Sequence, residues 1–186
     1  MYEGEVVSLR RLEPADADVI VDFWNDYQLR QYFPNPFPKT LSEIQEFIAS
    51  RNQGFAGRWV FTFGIEDKVD SNLVGFIDLS NINWINSTGM VDNFVIFDRE
   101  NRRKGYGKDA MRLLLDFAFN IIGLHNVCLY VYRFNNQAIQ FYEKFGFSLV
   151  GHLREAAFID GKRDDTVIMD IIKSDFIERY GVLSKM

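Results

Sequence analysis

Arg102-x-x-Gly105-x-Gly107 lies in a basic run, Arg102-Arg103-Lys104, just ahead of a helix-like pattern. These are residues for holding an anion. A helix N-terminus offers N–H groups without intrahelical partners and a partial positive charge. Glycines let those groups reach a phosphate with no Cβ in the way. Basic side chains add full charge. Upstream, Phe94-Val95-Ile96-Phe97 reads as a buried strand, followed by a charged turn from Asp98 to Lys104. Downstream, Met111, Leu114, Leu115, Phe117 and Ala118 mark the apolar side of a helix expected from 105 to about 122. Strand, basic glycine loop and helix start make a phosphate cradle.

Two other phosphate sites are weighed and set aside. Gly105-x-Gly107-x-x-Ala110 also fits a dinucleotide fingerprint. That turn leaves its strand directly into glycine, whereas polar residues fill 98–104 here. It also needs an acid about 20 residues on, closing the next strand. The region there reads Val127-Cys128-Leu129-Tyr130-Val131-Tyr132, with no carboxylate. A Gly-x-x-x-x-Gly-Lys-Ser/Thr loop is missing altogether.

The chain has 186 residues, enough for one domain, and 47% apolar content, enough for a full core. Its net charge of −5 argues against nucleic acid and favours cationic partners such as amines. The lone Cys128 excludes an internal disulfide and fits a reducing compartment. An acidic N-terminus without an apolar run, and no stretch long enough to span a bilayer, point to a cytoplasmic protein with no membrane partner. His, Cys and carboxylates show no metal spacing.

The elements that must position the loop follow from periodicity. Glu5 to Leu12 alternates, with Val7 and Leu9 buried against polar Ser8 and Arg10. Pro14 opens a helix to Asn25, with Val19, Ile20, Phe23 and Trp24 inward. The proline-alternating stretch 26–40 reads as a stiff loop walling an acceptor pocket. Thr40 and Glu43 form a capping box for a helix to about Ser50, with Leu41, Ile44, Phe47 and Ile48 inward. Strands follow at Trp59 to Ile65, Asn72 to Leu79 and Met90 to Phe97, with a turn region over Ser80 to Ser87. The long helix then crosses over to a parallel strand, Asn126 to Tyr132. Asn135 caps a helix that stops at Gly146. Strands Ser148 to Phe158 and Thr166 to Ile172 flank an Asp160-Gly161 hairpin signal, and Ser174 to Tyr180 forms a terminal helix. The sum is an α/β (α+β) domain: a mixed, mostly antiparallel sheet of about seven strands with helices on both faces.

Two motifs in order, Arg102-x-x-Gly105-x-Gly107 and Asn135-x-x-Ala138-x-x-x-Tyr142-x-x-x-Gly146-Phe147, resemble those of the GNAT N-acetyltransferases. The likeness runs over about 5–172. The opening VVSLRRLEPADAD and the ending GHLREAAFIDGKRDDTVIM resemble the subfamily of ribosomal-protein N-terminal acetyltransferases and spermidine acetyltransferases. The resemblance implies one N-acetyltransferase domain over 1–186, its core at about 5–172 and a tail at 173–186. It implies a V-shaped splay between the fourth and fifth strands, and acetyl-coenzyme A as cosubstrate without a metal.

Residue roles follow from the same resemblance. The backbone of Phe94, Val95 and Ile96 would pair with pantetheine, the N–H groups of Arg103, Lys104, Gly105, Tyr106, Gly107 and Lys108 would hold the pyrophosphate, and Asn135 would touch the coenzyme. Tyr142 matches the family's general acid: attack of an amine on the thioester expels a thiolate, which a phenol that is neutral at pH 7 can protonate. Asp92 stands where many subfamily members carry Glu, and is one methylene shorter. A carboxylate there could take the amine's proton through a water, or could be a solvated strand-end acid. The acceptor is a small-molecule or peptide amine, with a peptide N-terminus, a polyamine and a small antibiotic amine all open. Members of the subfamily often dimerise, so a homodimer is an expectation too. A coenzyme A-binding sensor without turnover is the alternative function.

Overall fold

The computed structural model describes residues 1–26, 37–51, 60–97 and 104–181. Among them are eight strands: β1 (Tyr2–Glu3), β2 (Val7–Arg10), β3 (Phe61–Asp67), β4 (Leu73–Asn83), β5 (Thr88–Ile96), β6 (Asn126–Tyr132), β7 (Ser148–Ile159) and β8 (Lys162–Ile172). Five α-helices accompany them: α1 (Ala17–Asn25), α2 (Leu41–Arg51), α3 (Tyr106–Asp116), α4 (Asn136–Phe145) and α5 (Lys173–Tyr180). The strands form one open mixed sheet in the order β1-β2-β3-β4-β5-β6-β8-β7. The pairing of β5 with β6 is parallel, and that of β6 with β8 and of β7 with β8 antiparallel.

The chain divides into two compact units, 1–79 with 93–114, and 80–92 with 115–186. In the first, α1 and α2 bury Ile20, Phe23, Ile44 and Ile48 with Phe76 and Val95. Each such side chain contributes roughly 1.5–3 kcal/mol on burial. The capping box forms as expected: Thr40 Oγ1 accepts from Glu43 N–H at 3.2 Å, and Glu43 Oε2 accepts from Thr40 N–H at 2.8 Å. In the second unit, Phe119 packs against Phe176 with ring centroids 5.4 Å apart, which fastens α5. The Asp160-Gly161 hairpin is a two-residue turn with φ of 48° and 79°, the left-handed pair that matches strand twist.

Several expectations are corrected. The eighth strand, β1, is two residues long and exists only through its pairing with β2. Ser8 is buried along with Val7 and Leu9, because β2 lies inside the sheet. Val19 and Leu41 face solvent instead of the core. The expected turn over Ser80–Ser87 is half strand: β4 continues through Asn83, with Ser80 and Ile82 buried. Only 84–87 turn, where Asn83 Oδ1 accepts from the N–H groups of Ile85 and Asn86. β8 starts at Lys162, four residues earlier than expected. The long helix ends as α at Asp116 and continues as a π-helical stretch, Phe117–Ile121, where Ile122 N–H donates to Phe117 O. Trp59, the proline-alternating segment at 27–36 and the charged turn at 98–103 lie outside the described residues.

Candidate active site

The first unit supplies a glycine turn at a helix start. Gly105 has φ 87°, a conformation that favours glycine, and precedes α3. The first intrahelical bond of α3 runs from Asp109 N–H to Gly105 O at 3.0 Å. The N–H groups of Tyr106, Gly107 and Lys108 therefore have no intrahelical acceptor. Lys104, Gly105 and Lys108 are exposed and Gly107 is half-buried. These residues fit a phosphate-bearing cosubstrate. Arg102 and Arg103 lie outside the described residues.

The Tyr106 side chain turns inward and is 4% exposed. Its hydroxyl donates to Asp67 Oδ2. Burial first, then the Asp67 carboxylate, push the phenol up to about 12. Asp67 is held below the usual carboxylate range by the Tyr106 hydroxyl and the Val69 N–H. Tyr106 thus serves the turn through its backbone and anchors it through its side chain.

β5 supplies the strand. Phe97 N–H donates to Val74 O at 2.9 Å, and the Val95 carbonyl lies where a Cβ on Gly75 would strike it. Val95 and Phe97 therefore turn their peptide groups toward β4. Alternation sends those of Phe94 and Ile96 to the other edge of the strand. Of the three residues expected to meet pantetheine, only Val95 has its carbonyl against β4.

A feature the sequence reading missed sits just before them. Asn93 has φ 41° in the middle of β5, and its amide donates to the buried Asp78 Oδ2 at 2.8 Å. The residue type was the available signal, since Asn tolerates the left-handed region far better than the β-branched residues around it. Asp67 and Asp109 were missed too, because their partners lie far away in sequence.

In the second unit, the parallel ladder runs from Thr88↔Asn126 to Val91↔Leu129. Asp92 follows directly and is half-buried. α4 carries Asn135 and Tyr142. Asn135 Oδ1 accepts from Ala138 N–H at 3.2 Å, which is the expected cap, and among the described residues its Nδ2 makes no hydrogen bond. Gly146, at φ 124°, ends the helix and donates to the carbonyls of Tyr142 and Glu143. The Tyr142 ring packs edge-on against Phe141 and Phe147, at 5.4 and 5.7 Å. Burial pushes its phenol up, so it is protonated at neutral pH. Among the described residues the Tyr142 hydroxyl has no hydrogen-bond partner. Burial also raises the Cys128 thiol, away from thiolate chemistry. His125 joins neighbours through its backbone, donating to Ser87 O and accepting from Lys173 N–H. Among the described residues, no group of three or more His, Cys, Asp or Glu could hold a metal ion. No helix among them is long and apolar enough to cross a membrane.

The family model described as "Acetyltransferase (GNAT) domain" matches residues 7–148. The chain belongs to the GNAT acetyltransferases. It is similar to the spermidine N(1)-acetyltransferase of Vibrio cholerae, with 31% identity over 174 residues, covering 93% of this chain and 96% of that protein. The spermidine N(1)-acetyltransferase of Escherichia coli K12 is 26% identical over 181 residues, covering 97% and 93%. Among solved structures, the Vibrio cholerae spermidine N-acetyltransferase in complex with CoA and spermine superposes with a TM-score of 0.81 at 30% identity, covering 92% of this chain and 98% of that one. This GNAT protein is an acetyl-coenzyme A-dependent N-acetyltransferase.

Proposed function

We propose that this GNAT acetyltransferase acetylates a primary amine of a polyamine such as spermidine, by direct attack in a ternary complex. Tyr142 carries the reading, because its hydroxyl is protonated, lacks a partner among the described residues and sits on the helix capped by Asn135. The named relatives and the net charge of −5 support a cationic acceptor. We read residues 1–186 as one such domain.

In this mechanism Asp92 takes a proton from the ammonium group through a water. The freed nitrogen attacks the thioester carbonyl, the C–N bond forms and the C–S bond breaks. Tyr142 gives its proton to the departing thiolate, which is general acid work of roughly 10²–10⁴-fold. The N–H groups of Tyr106, Gly107 and Lys108, with Arg102, Arg103, Lys104 and Gly105, hold the pyrophosphate. Phe94 and Ile96 pair with pantetheine beside Val95, and Asn135 Nδ2 donates to the coenzyme.

Thiol release from acetyl-coenzyme A, measured across spermidine, spermine, a peptide N-terminus and a small antibiotic amine, tests the acceptor. The polyamines should give the highest kcat/KM. A preference for the peptide, with polyamines at background, would overturn the assignment.

A further inference from the structure

The anion-binding turn is held from behind by two buried carboxylates that take no part in acetyl transfer. Asp67, 7% exposed at the end of β3, accepts from the Tyr106 hydroxyl, and its Oδ1 accepts from Val69 N–H at 2.9 Å. Asp109, 6% exposed in the first turn of α3, accepts through Oδ2 from Val6 N–H at 2.8 Å and Val7 N–H at 3.1 Å. Its Oδ1 accepts from Arg112 at 3.2 Å. The β1–β2 corner closes over the same place. Lys68 N–H donates to Val6 O at 3.2 Å, Lys68 Nζ donates to Gly4 O at 2.9 Å, and a Cβ on Gly4 would strike the Asp109 carboxylate.

Tyr106 and Asp109 are three residues apart and so share the inner side of the helix. Gly107 and Lys108 are left on the outer side. A carboxylate in a first helical turn would repel an incoming diphosphate, but Asp109 is met by the Val6 and Val7 N–H groups and by Arg112 of α3, and Asp67 by the Val69 N–H and the Tyr106 hydroxyl.

We infer that Asp67 and Asp109 are positioning residues for the coenzyme's pyrophosphate, clamping the first turn of α3 to the β1–β2 and β3–β4 corners. The N–H groups of Tyr106, Gly107 and Lys108 are then aligned before the anion arrives, which lowers the ordering cost of binding. The inference rests on the pyrophosphate reading of that turn.

The test is donor preference, the ratio of kcat/KM for acetyl-coenzyme A to that for acetyl-pantetheine, which keeps the thioester arm but has no pyrophosphate. Asp67→Ala and Tyr106→Phe should each lower the ratio about tenfold, since a small misplacement of aligned donors is costly. Asp67→Asn, whose amide oxygen can still accept from Tyr106, should keep more of it, and it carries the test if either of the others fails to fold. Equal losses with both donors would make the clamp purely structural and overturn the inference. A wild-type enzyme without preference for acetyl-coenzyme A would instead defeat the pyrophosphate reading itself.

Discussion

Tyr106 and Tyr142 are the same residue type on two helices of two compact units, and both phenols are pushed above their ordinary value. Their hydroxyls meet different surroundings. Tyr106 donates to a carboxylate and is saturated. Tyr142 is flanked by aromatic rings and has no hydroxyl partner among the described residues. In the mechanism proposed above, that hydroxyl has a proton to give. Titration alone does not separate the two tyrosines; hydrogen-bond satisfaction does.

Exchanging the tyrosine roles by mutation gives the largest contrast. Tyr142→Phe removes a hydroxyl that stabilises nothing in the described fold. It should lower kcat by roughly tenfold to a thousandfold while the melting temperature and acetyl-coenzyme A affinity hold. If stability falls and turnover per folded molecule survives, Tyr142 is an anchor like Tyr106 and the contrast collapses.

Asp92 belongs to the same unit as Tyr142 and tests its acid–base side. Asp92→Asn should reduce turnover about ten- to a hundredfold near neutral pH. The loss should shrink as pH rises toward the amine's own pKa, where free amine needs no base. A pH–rate profile lowered by one constant factor would return Asp92 to a solvated strand-end acid.

Gly107→Glu tests the anion turn in the unit of Tyr106. It adds a Cβ and a negative charge beside the expected diphosphate. Acetyl-coenzyme A affinity by calorimetry should weaken at least tenfold, about 1.4 kcal/mol. Unchanged affinity in a folded variant would remove the cradle and leave only the anchoring role.

How much of this the sequence displays depends on how far apart the partners are. The α4 cap at Asn135, the stop at Gly146, the Thr40–Glu43 box and the Asp160-Gly161 turn follow from rules that act within a few residues. The strand–loop–helix order around Gly105 is read the same way. The corner that holds Asp109 to Val6 and Val7 joins residues more than a hundred positions apart, and no local pattern announces it. β1 and the end of β4 are strands by pairing and burial, not by propensity: Ser80 to Asn83 is polar enough to pass for a turn. The positive φ of Asn93 was hidden beside an apolar run that reads as an ordinary buried strand. Residue types show what chemistry is available, and long-range bonds show which tyrosine hydroxyl is already engaged.

The smallest effect concerns the anchor itself, at alkaline pH. The Tyr106 phenol titrates near 12 in the folded chain, against an ordinary value near 10. Between those values the folded state holds a proton that the unfolded state has released. Stability must therefore fall as pH rises through this window, and the contribution is complete only below about pH 10. Tyr106→Phe removes one such proton. Its melting temperature should start lower, because Asp67 loses a donor, and then decline less steeply than the wild type's between about pH 10 and 12. Tyr142→Phe should also flatten the slope, since that phenol is raised too, but without the initial drop. Matched measurements of melting temperature against pH would separate the two. Parallel curves for Tyr106→Phe and wild type would mean that the Tyr106 hydroxyl is not held by Asp67 in solution.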